Sequence, residues 1–166
     1  MQLKRKPCPI LTVSVHNCCG QTAQSDPAYS NDLPSNIGTE LYNDGSNEIY
    51  VSWIDKADIN SGGYSIGFRS SGQYSINNVT LVSGIRHNTA VNSFTDTMTA
   101  KMIAKYNDKI YCGEIFGYSG LNFKDGDDFS FYIFPSQTYD EEISLNENGV
   151  VELTVTNLYK NIWTKK

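Results

Sequence analysis

Residues 94–118 read FTDTMTAKMIAKYNDKIYCGEIFGY, and no other stretch constrains the fold as tightly. Phe94, Met98, Ala100, Met102, Ala104 and Tyr106 fall on one side of an extended chain, with Thr95, Thr97, Thr99, Lys101, Ile103 and Lys105 on the other. A period of two excludes an amphipathic helix and predicts strands. With Asn107-Asp108 as a two-residue turn, Tyr106 lies opposite Lys109, Ala104 opposite Tyr111 and Met102 opposite Gly113. Continued to the ends, the register sets Ala100 by Ile115 and Met98 by Gly117, so that small residues face larger ones. On the other face it places Ile103 across from Cys112 and Lys101 across from Glu114. The expectation is one long β-hairpin.

Outward from this hairpin the same alternation recurs. Glu48 to Ile54 reads as a central strand with Ile49, Val51 and Trp53 on one face and Tyr50, Ser52 and Ile54 on the other, which puts Tyr50 and Trp53 on opposite sides. Tyr64 to Arg69 and Phe129 to Phe134 alternate likewise, the second stopped by Pro135. Gln73 to Ile76 and Val79 to Ile85 are shorter strands with a bulge expected at Asn77-Asn78. Glu147-Asn148-Gly149 predicts a three-residue hairpin loop that pairs Leu145 with Val151 and Ile143 with Leu153. Ile10 to His16 is the first strand, followed by a long irregular loop at 17–36. The expected fold is all-β: a single β-sandwich, jelly-roll-like or Ig-like, with eight to ten short antiparallel strands over 10–157. Residues 1–9, with Pro7 and Pro9, read as a basic N-terminal arm, and 158–166 as a basic aromatic C-terminal tail.

Composition supports strands: Val, Ile, Thr, Tyr, Phe and Trp number 55 against 18 for Ala, Leu and Met. The 166 residues fit one domain with a core of its own. The net charge of −5 hides an asymmetry, because Lys4, Arg5, Lys6, Lys160, Lys165 and Lys166 lie at the ends and leave residues 7–159 at −11. Such a body repels a phosphate backbone, which argues against nucleic acid as a partner. No stretch is apolar enough for a signal peptide or a membrane span, so the expectation is synthesis in the cytoplasm, with the cysteines reduced and no membrane partner.

Candidate chemistry is sparse. Cys8, His16, Cys18 and Cys19 cluster within twelve residues, but adjacent cysteines point apart on an extended chain and no second ligand pair closes a tetrahedron, so no metal is expected. Asp125, Asp127, Asp128 and the segment Asn43-Asp44-Gly45-Ser46 lack the spacing of a calcium loop and read as turn chemistry. His16 and His87 are the two histidines; no nucleophile elbow or phosphate loop accompanies them, so no catalytic residue and no cofactor is assigned. Glu114 with an acid of 125–128 would be the carboxylate pair of a hydrolase, a third reading.

The abundant aromatic residues point to recognition. Trp163 and Tyr159, beyond the last strand and beside Lys160, Lys165 and Lys166, read as anchors of an assembly arm, with Lys4, Arg5 and Lys6 as its counterpart. Tyr50 or Trp53, displayed from a sheet, would serve a carbohydrate-binding module instead. In composition the chain resembles small accessory proteins of virus particles, above all bacteriophage capsid and tail components. That resemblance implies a non-enzymatic structural or assembly role through protein–protein contacts, in a homo-oligomer or larger assembly such as a virion.

Overall fold

The computed structural model describes residues 2–8, 11–17, 33–56, 64–90, 93–120, 126–134 and 149–165. Among them are fifteen strands: β1 (Gln2–Pro7), β2 (Leu11–Asn17), β3 (Glu40–Asn43), β4 (Glu48–Lys56), β5 (Tyr64–Ser71), β6 (Gln73–Tyr74), β7 (Asn78–Ser83), β8 (Ile85–Ala90), β9 (Ser93–Met98), β10 (Lys101–Tyr106), β11 (Lys109–Cys112), β12 (Glu114–Ser119), β13 (Asp127–Tyr132), β14 (Gly149–Thr156) and β15 (Tyr159–Thr164). They form a five-stranded sheet β12-β13-β5-β4-β3, a four-stranded sheet β11-β10-β14-β2, a second four-stranded sheet β1-β15-β7-β6 that carries both ends of the chain, and the pair β8-β9, all antiparallel. The fold is thus all-β, with more strands and more sheets than the sequence suggests.

The core gathers side chains from the five-stranded sheet and the sheet around β10. Ile49, Val51, Ile66, Phe68, Phe129 and Phe131 come from the first, Met102, Ala104, Tyr111, Leu153 and Val155 from the second, all within one cluster. Phe68 stacks on Phe129 with ring centroids 5.5 Å apart and meets Phe131 edge-on at 6.4 Å. Each of these phenylalanines is 1% exposed or less. Removing one from water is worth roughly 1.5–3 kcal/mol, so this trio holds the five-stranded sheet to its partner.

The hairpin of residues 101–112 forms as expected. Asn107 and Asp108 both have positive φ, 47° and 60°, as a primed two-residue turn requires. Tyr106 pairs with Lys109, Ala104 with Tyr111 and Ile103 with Cys112, and the Gly113 amide donates to the Met102 carbonyl at 2.9 Å. Beyond Gly113 the two arms part, which corrects the long hairpin. Residues 93–98 pair with β8, whereas 114–119 pair with β13. Lys101 therefore lies opposite Thr156, and Glu114 opposite Tyr132.

Three other expectations change. Asn78 begins β7, and Gln73–Thr80 and Tyr74–Val79 pairing makes residues 73–80 a hairpin in place of a bulge. Leu153 sits between Ala104 and Val13, so it has no edge left for Ile143. Residues 18–32 of the expected long loop lie outside the described residues, while Leu33–Asn36 forms a 3-10 turn in which Asn36 Nδ2 donates to the Leu33 carbonyl at 3.2 Å.

The ends depart furthest from the sequence reading. Residues 2–7, expected to be an arm, form edge strand β1 along the whole of β15. Pro7 is tolerated because it closes an edge strand, and the exposed Lys4 and Lys6 keep that edge from templating aggregation. Residues 159–164, expected to be a tail, lie between β1 and β7. Leu158 and Asn161 are fully buried and Trp163 is 2% exposed. Asn161 Nδ2 donates to the Ile85 carbonyl at 3.1 Å, tying this sheet to β8. Among the described residues no helix is long and apolar enough to cross a membrane.

Candidate functional site

Two β-bulges decide which aromatic side chains face outward from the five-stranded sheet. In β4, Tyr50 pairs with Arg69 and Val51 with Phe68, but Trp53 pairs with Gly67, so Ser52 is the extra residue. An extra residue shifts the alternation by one. Ile54, opposite Ile66, turns into the core, and Trp53 joins Tyr50 on the outer face. The sequence places these two on opposite faces; the bulge corrects it. In β12 the register slips between Ile115 and Gly117, which leaves Phe116 unpaired and half exposed.

A row of small residues makes the floor. Gly117 pairs with Ser130, Ser130 with Gly67 and Gly67 with Trp53, across β12, β13, β5 and β4. A Cβ on Gly67 would fall within the Trp53 indole, close to Nε1, Cε2 and Cδ1 together. Near-equal approach to three ring atoms means that the indole lies flat over the glycine rather than on edge. Phe116 stands against it, centroids 5.6 Å apart and planes at 68°, and Tyr132 meets Phe116 at 5.0 Å and 75°. The result is an aromatic floor with an aromatic wall.

Polar groups complete a groove of about 260 Å³ whose lining includes Trp53, Phe116, Gly117, Ser119, Asp128 and Ser130. Arg69 Nη1 donates to both oxygens of Asp128 at 2.8 Å. This pair is partly exposed, so it contributes little to stability but fixes the carboxylate in place. Ser130 Oγ donates to the Gly117 carbonyl at 2.9 Å and pins the bulged strand.

No family model, curated protein or solved structure matches this chain.

The predicted arm residues do not come together as a displayed site. Trp163 is packed inside, 5.4 Å from the His87 ring. Tyr159 is half-buried in β15, and Lys4, Lys6 and Lys165 are exposed. Lys160 donates to Asp44 Oδ2 at 2.9 Å. The backbone of Arg5 pairs with Asn161, its side chain lies outside the described residues, and so does Lys166.

Asp44 is a hub rather than a lone turn residue. It accepts from the Ser46 and Asn47 amides at 3.0 and 2.7 Å, and from Tyr42 Oη at 3.0 Å, besides Lys160. Burial pushes its pKa up, but the hydrogen bonds from Lys160, Asn47 and Ser46 outweigh that and hold the carboxyl well below the usual carboxylate range. Burial first, then the bond to Asp44, raises Tyr42 to about 12. Burial also raises the free thiol of half-buried Cys8.

Of the acidic cluster, Asp127 and Asp128 are strand residues and not loop. Asp128 serves the groove, whereas Asp127 is fully buried and meets His87 Nε2 at 2.7 Å. Asp125, His16, Cys18 and Cys19 have no described side chain. Among the described residues no three His, Cys, Asp or Glu side chains converge on a point. Sequence reasoning missed Gly67, Phe116, Arg69 and Tyr132, and read Asp128 as turn chemistry, because their convergence depends on strand order and on bulges that leave no local mark.

Proposed function

We propose that the chain is a non-enzymatic recognition module of jelly-roll-like β-sandwich type, which binds its ligand on the outer face of the five-stranded sheet. The observation that carries this reading is the Trp53 ring laid on Gly67 with Phe116 upright beside it. An aromatic surface left half open, beside a fixed carboxylate, is what ligand grooves use: apolar contact for affinity and a few placed polar groups for orientation. The His87–Asp127 pair lies inside the protein rather than in this groove, its side chains 4% and 0% exposed.

The two tryptophans make the test direct. Their indole N–H resonances are assigned with Trp53→Phe, and a mixed set of sugars, peptides and nucleosides is added. Ligands are expected to shift the Trp53 resonance. A set that shifts only Trp163, or neither, sinks the reading.

A second reading, subunit of an oligomeric assembly such as a bacteriophage particle, is supported by Ile76, Ile110 and Phe94, which are 89%, 70% and 66% exposed at three separate places. A native mass equal to one chain would end it.

A further inference from the structure

We infer that the groove of Trp53 and Phe116 takes a neutral saccharide, one pyranose ring of which lies on the open face of Trp53 against Phe116 while Asp128 accepts its hydroxyls. This rests on the binding-face reading above. It follows from shape, charge and size together.

A pyranose has a flat face of C–H groups and a rim of hydroxyls, so it asks for an aromatic floor with polar groups at the side. Gly67 supplies that floor indirectly: having no Cβ, it lets the indole settle parallel to the sheet. Ser130 and Gly117 continue the floor with small side chains toward β12, and Phe116 closes one side as a wall. At the other side, Asp128 is held by Arg69, and a carboxylate has about four lone-pair sites, of which the two short contacts to Nη1 take two. Ser119, exposed and opposite Asp128, adds a hydroxyl.

Charge selects against the main alternatives. Arg69 and Asp128 neutralise each other, so the groove offers no net cation to a phosphate, sulfate or uronate. Residues 7–159 carry a net −11 and repel polyanions in general. Size selects against a folded protein: a groove of about 260 Å³ is on the scale of a ring or two, whereas a stable protein interface buries roughly 800 Å² on each side.

The test titrates the full chain separately with cellohexaose, maltohexaose, mannohexaose and penta-N-acetylchitopentaose, with decaproline as the peptide control, while the Trp53 and Trp163 indole resonances are followed. At least one oligosaccharide is expected to shift Trp53 and leave Trp163 in place. Trp53→Ala and Phe116→Ala, checked for retained fold by circular dichroism, are each expected to weaken that sugar roughly tenfold or more, about the loss of one good contact. Phe116 is half exposed, so its variant keeps the test valid if Trp53→Ala unfolds. The inference is overturned if a sugar binds both variants as well as the parent, or if no sugar moves Trp53 at millimolar concentration. Decaproline moving Trp53 where no sugar does would overturn the saccharide and leave the binding face standing. Silence from sugars and peptide alike would remove both.

Discussion

The two tryptophans of this chain reverse the roles that their sequence neighbourhoods suggest. Trp163 stands among lysines beyond the last apolar pattern, yet it is 2% exposed. Trp53 stands in a strand between Val51 and Ile54, both of them buried, yet it is itself only half-buried. Each reversal has a definite cause. Trp163 is enclosed because β1 and β7 flank its strand, and both are more than 75 residues away in the chain. Trp53 is turned outward because a single extra residue, Ser52, shifts the alternation of its strand. The burial of a large aromatic thus depends on pairing partners and register at least as much as on the residues beside it.

The comparison breaks most readily at the C-terminus. Deleting 158–166 removes a strand held on both edges together with Leu158 and Trp163, so the truncated chain is expected to show no cooperative melting transition. Trp163→Ala is expected to cost on the order of 3–5 kcal/mol, as for other large-to-small changes in a core. A truncated chain that melts at the parent temperature would mean that Trp163 is an appendage after all.

The opposite substitution sharpens the case of Trp53. A methyl group at Gly67 occupies the space of the indole, so Gly67→Ala is expected to lift Trp53 from the sheet at a cost of about 1–3 kcal/mol. Its emission should move to longer wavelength while Trp163 stays dark to quenchers. An unchanged spectrum would show that the ring does not rest on the glycine.

Between the two regions lies the tie from Lys160 to Asp44, and it makes the stability depend on pH at both extremes. Asp44 is held below its unfolded value of about 3.9, so its contribution is complete above that pH and is lost as the pH falls through and below it. Tyr42 is raised to about 12, so its contribution is complete below pH ~10 and is lost as the pH rises from there through about 12. Asp44→Asn is expected to flatten the acid limb of melting temperature against pH, and absorbance at alkaline pH should show a late-ionising tyrosine that Tyr42→Phe removes. An acid limb unaltered by Asp44→Asn would leave the hub without the role assigned to it.

The smallest effect belongs to Lys160 itself. Its ion pair is partly exposed, and Lys160→Met is expected to change stability by about 0–1 kcal/mol by denaturant titration at neutral pH. A much larger loss would make the tie, rather than the burial of Trp163, the main support of the terminal sheet.

What the sequence determines by itself is local. Strand period, the positive-φ turn at Asn107-Asp108 and the pairing of Tyr106, Ala104 and Ile103 follow from residues within a dozen positions of one another, where alternation and turn chemistry act directly. The all-β class follows for the same reason. Only the tertiary structure decides that the hairpin splits at Gly113 between two sheets, that β1 and β15 pair across almost the whole chain, and that Ser52 and Phe116 are bulged. The physical reason is that an extended segment can satisfy its backbone hydrogen bonds with any suitable edge, and one inserted residue turns every later side chain over. Tyr50 and Trp53 are visible in the sequence as candidates. That they share a face with Phe116 and Asp128 follows only from which strands lie side by side.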